Sequence, residues 1–111
     1  MKTKRYLSPS LLSADFGNLA DGLRLIEEKG ASFVHVDVMD GNFVPNLSMG
    51  PDIVKSIRKD SGLFFDCHLM VADPRMFVEP FVKAGADLIT FHAECVEDMD
   101  SLIDYIHSFG V

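Results

Sequence analysis

The chain has 111 residues, 48% of them hydrophobic, which suffices for one modest core and carries no compositional sign of disorder. Ten Lys and Arg stand against 17 Asp and Glu, a net charge of −7 that excludes the basic footprint needed to bind nucleic acid or an anionic membrane. No apolar run is long enough to span a bilayer, and the basic opening around Lys2, Lys4 and Arg5 lacks the apolar stretch of a signal peptide, so a cytoplasmic protein is expected.

Residues 6–11 read as a first strand, and the amphipathic pattern over 16–29 reads as a helix. A valine-rich strand follows at 33–39. The stretch 40–50, with Phe43, Val44 and Pro45, is long for a strand-to-helix connection and reads either as a lid or as an ordinary surface loop. Pro51 opens a second helix at 51–59, and residues 63–70 form a third apolar strand. Asp73 and Pro74 give the N-cap and first-turn signals of a helix over 74–84, inside which Pro80 predicts a kink or a break. A strand at 87–92 and a helix at 97–108 complete the series. Gly30, Gly62, Gly85 and Gly110 each follow a helical pattern, where a left-handed terminal residue is favoured. Cys67 and Cys95 sit inside apolar runs and read as buried, reduced thiols.

Strand then helix, four times over, predicts an α/β fold with a parallel sheet. A complete (β/α)8 barrel takes about 250 residues, so 1–111 reads as a single half-barrel domain that stops before a fifth strand. A half barrel exposes sheet edges and an apolar interior, which predicts self-association or a homo-oligomer.

Ligands of parallel α/β folds gather at the C-terminal ends of the strands, and period-two alternation tells which side chains share a face. In the second strand His35, Asp37 and Met39 share one face, opposite Val34, Val36 and Val38. In the third, His68 and Met70 lie opposite Cys67 and Leu69. Ser8 and Ser10 pair in the first, and His92 and Glu94 in the fourth. Valines suit packing under helices, which turns His35 and Asp37 inward. A lone histidine in an apolar strand is ordinarily a hydrogen-bonded core residue; two polar strands side by side point instead to a divalent cation held by His35, Asp37 and His68. Two imidazoles and a carboxylate suit zinc, iron, manganese or cobalt. Met39 and Met70 read equally as core filler or as the floor of a pocket.

The segments SPSLLSADF (8–16), HVDVMDGNFVPN (35–46), DCHLMV (66–71) and TFHAE (90–94) cover essentially the whole chain, and in order and spacing they resemble the ribulose-phosphate 3-epimerase family. The resemblance implies a metal-dependent isomerase acting on a small sugar phosphate, interconverting D-ribulose 5-phosphate and D-xylulose 5-phosphate through an enediolate. It implies that His35, Asp37 and His68 are metal ligands and that Asp37 is one of two acid/base carboxylates. It further implies that Ser10, His68, Met39 and Met70 contact substrate, and that His92 lies near the pocket. The second acid and the phosphate-binding loops of that family fall outside these residues, so this chain alone is expected to be inactive. Two other readings remain at this level: a hexulose-phosphate 3-epimerase, such as one for allulose 6-phosphate, and a non-catalytic metal-binding half barrel that serves in assembly.

Overall fold

A computed structural model describes residues 2–111. Three strands, β1 (Phe33–Met39), β2 (Phe64–Met70) and β3 (Leu88–Phe91), form one parallel sheet in the order β1-β2-β3. Four helices alternate with them: α1 (Leu19–Glu28), α2 (Pro51–Arg58), α3 (Pro74–Ala84) and α4 (Met99–His107). Each strand is followed in sequence by a helix, the repeat from which (β/α) barrels are built.

The outer face of the sheet carries the core. Val34, Val36 and Val38 of β1 and Phe65, Cys67 and Leu69 of β2 are buried, in one cluster with Leu23 of α1, Val54 and Ile57 of α2 and Phe81 of α3. Each such side chain contributes about 1.5–3 kcal/mol by leaving water. A smaller cluster joins Val78 of α3 to Leu102 and Ile106 of α4. On the other face Phe33, His35, Asp37 and Met39 alternate with Phe64, Asp66, His68 and Met70, all only partly buried. Tyr6, Phe33 and Phe64 stack in succession near the strand starts of this open face, with centroid spacings of 5.1 and 4.5 Å.

The first predicted strand is corrected. Residues 6–11 form no regular strand; they lie along β1, where Leu7 and Pro9 carbonyls accept from Phe33 and His35 N–H groups at 3.3 and 2.8 Å and Ser10 makes a single bridge to His35. Pro9 has no N–H to give to a ladder. Beyond it, the Ser10 hydroxyl accepts from Leu12 N–H and starts a 3-10 turn at Leu11–Ser13. The first helix also begins later than its pattern, because Phe16–Asn18 forms a 3-10 turn whose Gly17 N–H is bound by Asp15. Likewise α4 begins at Met99, where Asp98 accepts from Ser101 N–H.

Pro80 does not break α3, which runs unbroken over Pro74–Ala84. Pro80 is exposed, so water can satisfy the carbonyl that its missing N–H leaves free. Asp73 occupies the cap position of α3 without a side-chain cap bond. Gly30, Gly85 and Gly110 have positive φ, whereas Gly62 does not, since α2 ends four residues before it. Gly85 is required twice over. Its φ is 119°, and a Cβ there would run into Arg58, whose guanidinium binds Gly85 O, Ser61 O, Leu63 O and Asp87 beneath the sheet.

Candidate active and metal site

The parallel register sets the site. It places His35 beside Asp66, Asp37 beside His68 and Met39 beside Met70, so four ionisable groups and two thioethers occupy three successive rungs of the open face. His35 Nε2 lies 3.1 Å from Asp37 Oδ1, His68 Nδ1 lies 3.3 Å from the same oxygen, and the two nitrogens are 3.4 Å apart. These three residues can each offer one ligand atom to a common point, all such atoms lying within 4.8 Å of one another. Imidazole nitrogen and carboxylate oxygen suit a first-row divalent cation, and the donor set therefore fits a metal.

The supporting contacts agree with that fit. His35 Nδ1 is 2.8 Å from Asp66 Oδ2, which also accepts from Ser8 Oγ at 3.1 Å. Ser10 Oγ donates to the second oxygen of Asp37. His68 Nε2 lies 2.7 Å from His92 Nε2, and the two rings stack with centroids 4.9 Å apart. His92, just past β3, packs on its far side against Phe43 and has Glu94 3.7 Å from its Nδ1.

Of the residues singled out in the sequence, Ser10, His35, Asp37, His68 and His92 thus form one connected group. Met39 and Met70 sit on the next rung toward the strand ends. Sequence reasoning missed Asp66 and Ser8 as members of the group. Asp66 shares the face of His68 by the same alternation, and that signal would have found it.

The connection after β1 is tied down at both ends. Ser48 Oγ accepts from Met39 N–H and donates to Asp37 O, and Asp40 bridges to Leu47. The Asp40 carboxyl is held below the ordinary carboxylate range chiefly by Ala72 N–H, then by Asn42 and Phe43 N–H groups. Phe43 reaches over His92, so this connection does border the site. Cys67 faces the core, where burial pushes its thiol up to about 12, outside the range of a nucleophile. Cys95 is only partly buried, unlike the fully buried thiol expected, and its thiol is raised by desolvation and by Glu94. Arg75, at the start of α3, turns toward α4, donating to Ser101 and lying over the Tyr105 ring.

A parallel sheet alternating with helices, with its polar groups on the open face, defines the (β/α)-barrel class of protein, of which these units make about half. Residues 6–111 match the model of the ribulose-phosphate 3 epimerase family, and the chain belongs to that family. Relatives named ribulose-phosphate 3-epimerase include those of Chlamydia muridarum, 48% identical over 95% of this chain and 46% of the relative, and Treponema pallidum, 50% identical over 95% and 48%. One from Oryza sativa, named the cytoplasmic isoform, is 45% identical over 95% of this chain and 46% of its own length. The chain spans about half the length of these curated relatives. Among the described residues, no helix is long and apolar enough to cross a membrane.

Proposed function

We propose that the protein supplies the metal-binding half of a ribulose-phosphate 3-epimerase, a cytoplasmic isomerase that interconverts D-ribulose 5-phosphate and D-xylulose 5-phosphate. The single observation that carries this reading is the meeting of His35, Asp37 and His68 at one point of the open face in a chain of this family. His35, Asp37 and His68 would hold one divalent ion, of zinc, iron, manganese or cobalt. When bound, such an ion supplies Lewis-acid polarisation of the substrate carbonyl and stabilises the negative charge of the enediolate.

Asp37 takes the proton from carbon 3, which the neighbouring carbonyl acidifies. Its Oδ1 faces the two imidazoles while Ser10 holds its Oδ2, so the carboxylate plane is fixed from both sides. Ser10 and His68, which both contact Asp37, would meet substrate oxygens. Met39 and Met70 form a paired rung that keeps water from the carbanionic face. His92 positions His68 from behind.

Inversion requires a second acid on the opposite face of the substrate. Asp66 does not serve, because both His35 and Ser8 engage its Oδ2 behind the imidazole. Residues 1–111 thus act as one half-barrel unit, and the second carboxylate and the phosphate-binding loops come from a complementary half. The exposed side of β3 and the stacked Tyr6, Phe33 and Phe64 would be covered by that half, or in its absence by self-association. A coupled assay for xylulose 5-phosphate tests the reading. The chain alone should give no turnover, and addition of a complementary half should restore it. Asp37→Asn should then lower the rate about 10²–10⁴-fold. Full activity of the Asp37→Asn protein would overturn the assignment.

A further inference from the structure

Two hydrogen-bond chains meet behind the candidate metal point, and one of them has no place in the chemistry above. It runs from Ser8 Oγ to Asp66 Oδ2 and on to His35 Nδ1. We infer that Asp66 is a positioning residue: it fixes the tautomer and ring plane of His35 so that Nε2, and not Nδ1, presents its lone pair to the metal point. The inference rests on the metal reading of His35, Asp37 and His68.

A neutral imidazole carries one N–H, and which nitrogen bears it is set by the partner of the other. A carboxylate accepts only, so the 2.8 Å contact requires the proton on Nδ1. His35 Nε2 is then left bare 3.1 Å from Asp37 Oδ1 and 3.4 Å from His68 Nδ1. Two bare acceptors at those separations repel each other unless a cation or a proton lies between them, so the Asp66–His35 pair turns Nε2 into an acceptor aimed at whatever cation or donor occupies that point. Register enforces the pairing, since His35 and Asp66 are direct neighbours across β1 and β2. Asp66 cannot reorient freely, because Ser8 donates to the same oxygen. His68 is supported differently, by the imidazole of His92.

The test uses the whole 111-residue chain with ¹⁵N-labelled histidine at pH 8, where unperturbed imidazoles are neutral. Long-range ¹H–¹⁵N spectra of the metal-free protein report the tautomer directly. Wild type should show His35 with a protonated Nδ1. Asp66→Ala should lose that preference, while Asp66→Asn, whose amide oxygen can still accept, should retain it. Titration with Co(II), followed by its visible absorption, should show affinity lower by roughly 10–100-fold in Asp66→Ala and by a smaller factor in Asp66→Asn. An unchanged tautomer in Asp66→Ala, or Co(II) affinity in both variants equal to wild type, overturns the inference. Should Asp66→Ala fail to fold, wild-type affinity in Asp66→Asn alone overturns it. If wild type binds no Co(II) yet shows the tautomer switch, the positioning role stands and the metal reading falls.

Discussion

The two faces of one sheet follow opposite rules. The outer face spends every alternate residue on burial, with Val34, Val36, Phe65 and Leu69 fully sheltered under helices. The inner face instead gathers His35, Asp37, Asp66 and His68 within contact of one another, polar groups that are only partly buried. The strand period separates the two tasks at single-residue resolution: a side chain buried in the core and a side chain held among polar partners can be sequence neighbours and answer to different forces. Stability and chemistry should therefore be separable by mutation.

Phe65→Ala attacks the outer face and should have the largest effect. Phe65 is wholly buried and lies under the Arg58 guanidinium, so its truncation should cost about 3–5 kcal/mol in urea unfolding. A loss under 1 kcal/mol would mean that the outer face is not the core. His68→Ala attacks the inner face. It should weaken Co(II) binding by more than the roughly 10–100-fold that losing a ligand's hydrogen-bond partner costs, while shifting the unfolding midpoint little. A large stability loss with unchanged cobalt affinity would erase the contrast between the faces. Gly85→Ala should cost about 1–3 kcal/mol, through positive φ and collision with Arg58, and leave metal affinity unchanged.

The smallest effect concerns Asp40, which joins the ends of β1 and β2 through Ala72 N–H. Its folded pKa lies below its ordinary value of 3.8, so its contribution is present above that value and lost as pH falls through the lowered folded one. Unfolding midpoints of wild type and Asp40→Asn should differ at neutral pH and converge in acid. A gap that widens as pH falls would contradict the sign.

Most of this contrast was legible in the sequence. The alternation in 33–39 and 63–70 assigned His35, Asp37 and His68 to one face and the valines, Cys67 and Leu69 to the other, and the structure has them so. What the alternation could not provide was register. That His35 meets Asp66 while Asp37 meets His68 depends on how two strands slide past each other, a quantity absent from either strand alone. Apolar content likewise overstated the segment 6–11, because it ignored that Pro9 withholds a donor. Pro80 misled in the other direction, since a proline signal carries no information about whether solvent will hydrate the carbonyl it frees.

The attachment of that first segment has a practical corollary. Ser8 and Ser10 clasp the two inner carboxylates, Asp66 and Asp37, yet the backbone around them is joined to the rest by few bonds. Trimming or fraying the chain ahead of Leu11 would leave the hydrophobic layer standing and calorimetry nearly silent. The two inner carboxylates would meanwhile lose their serine partners, so a preparation could look intact by every bulk measure and still hold Asp37 and Asp66 in the wrong place.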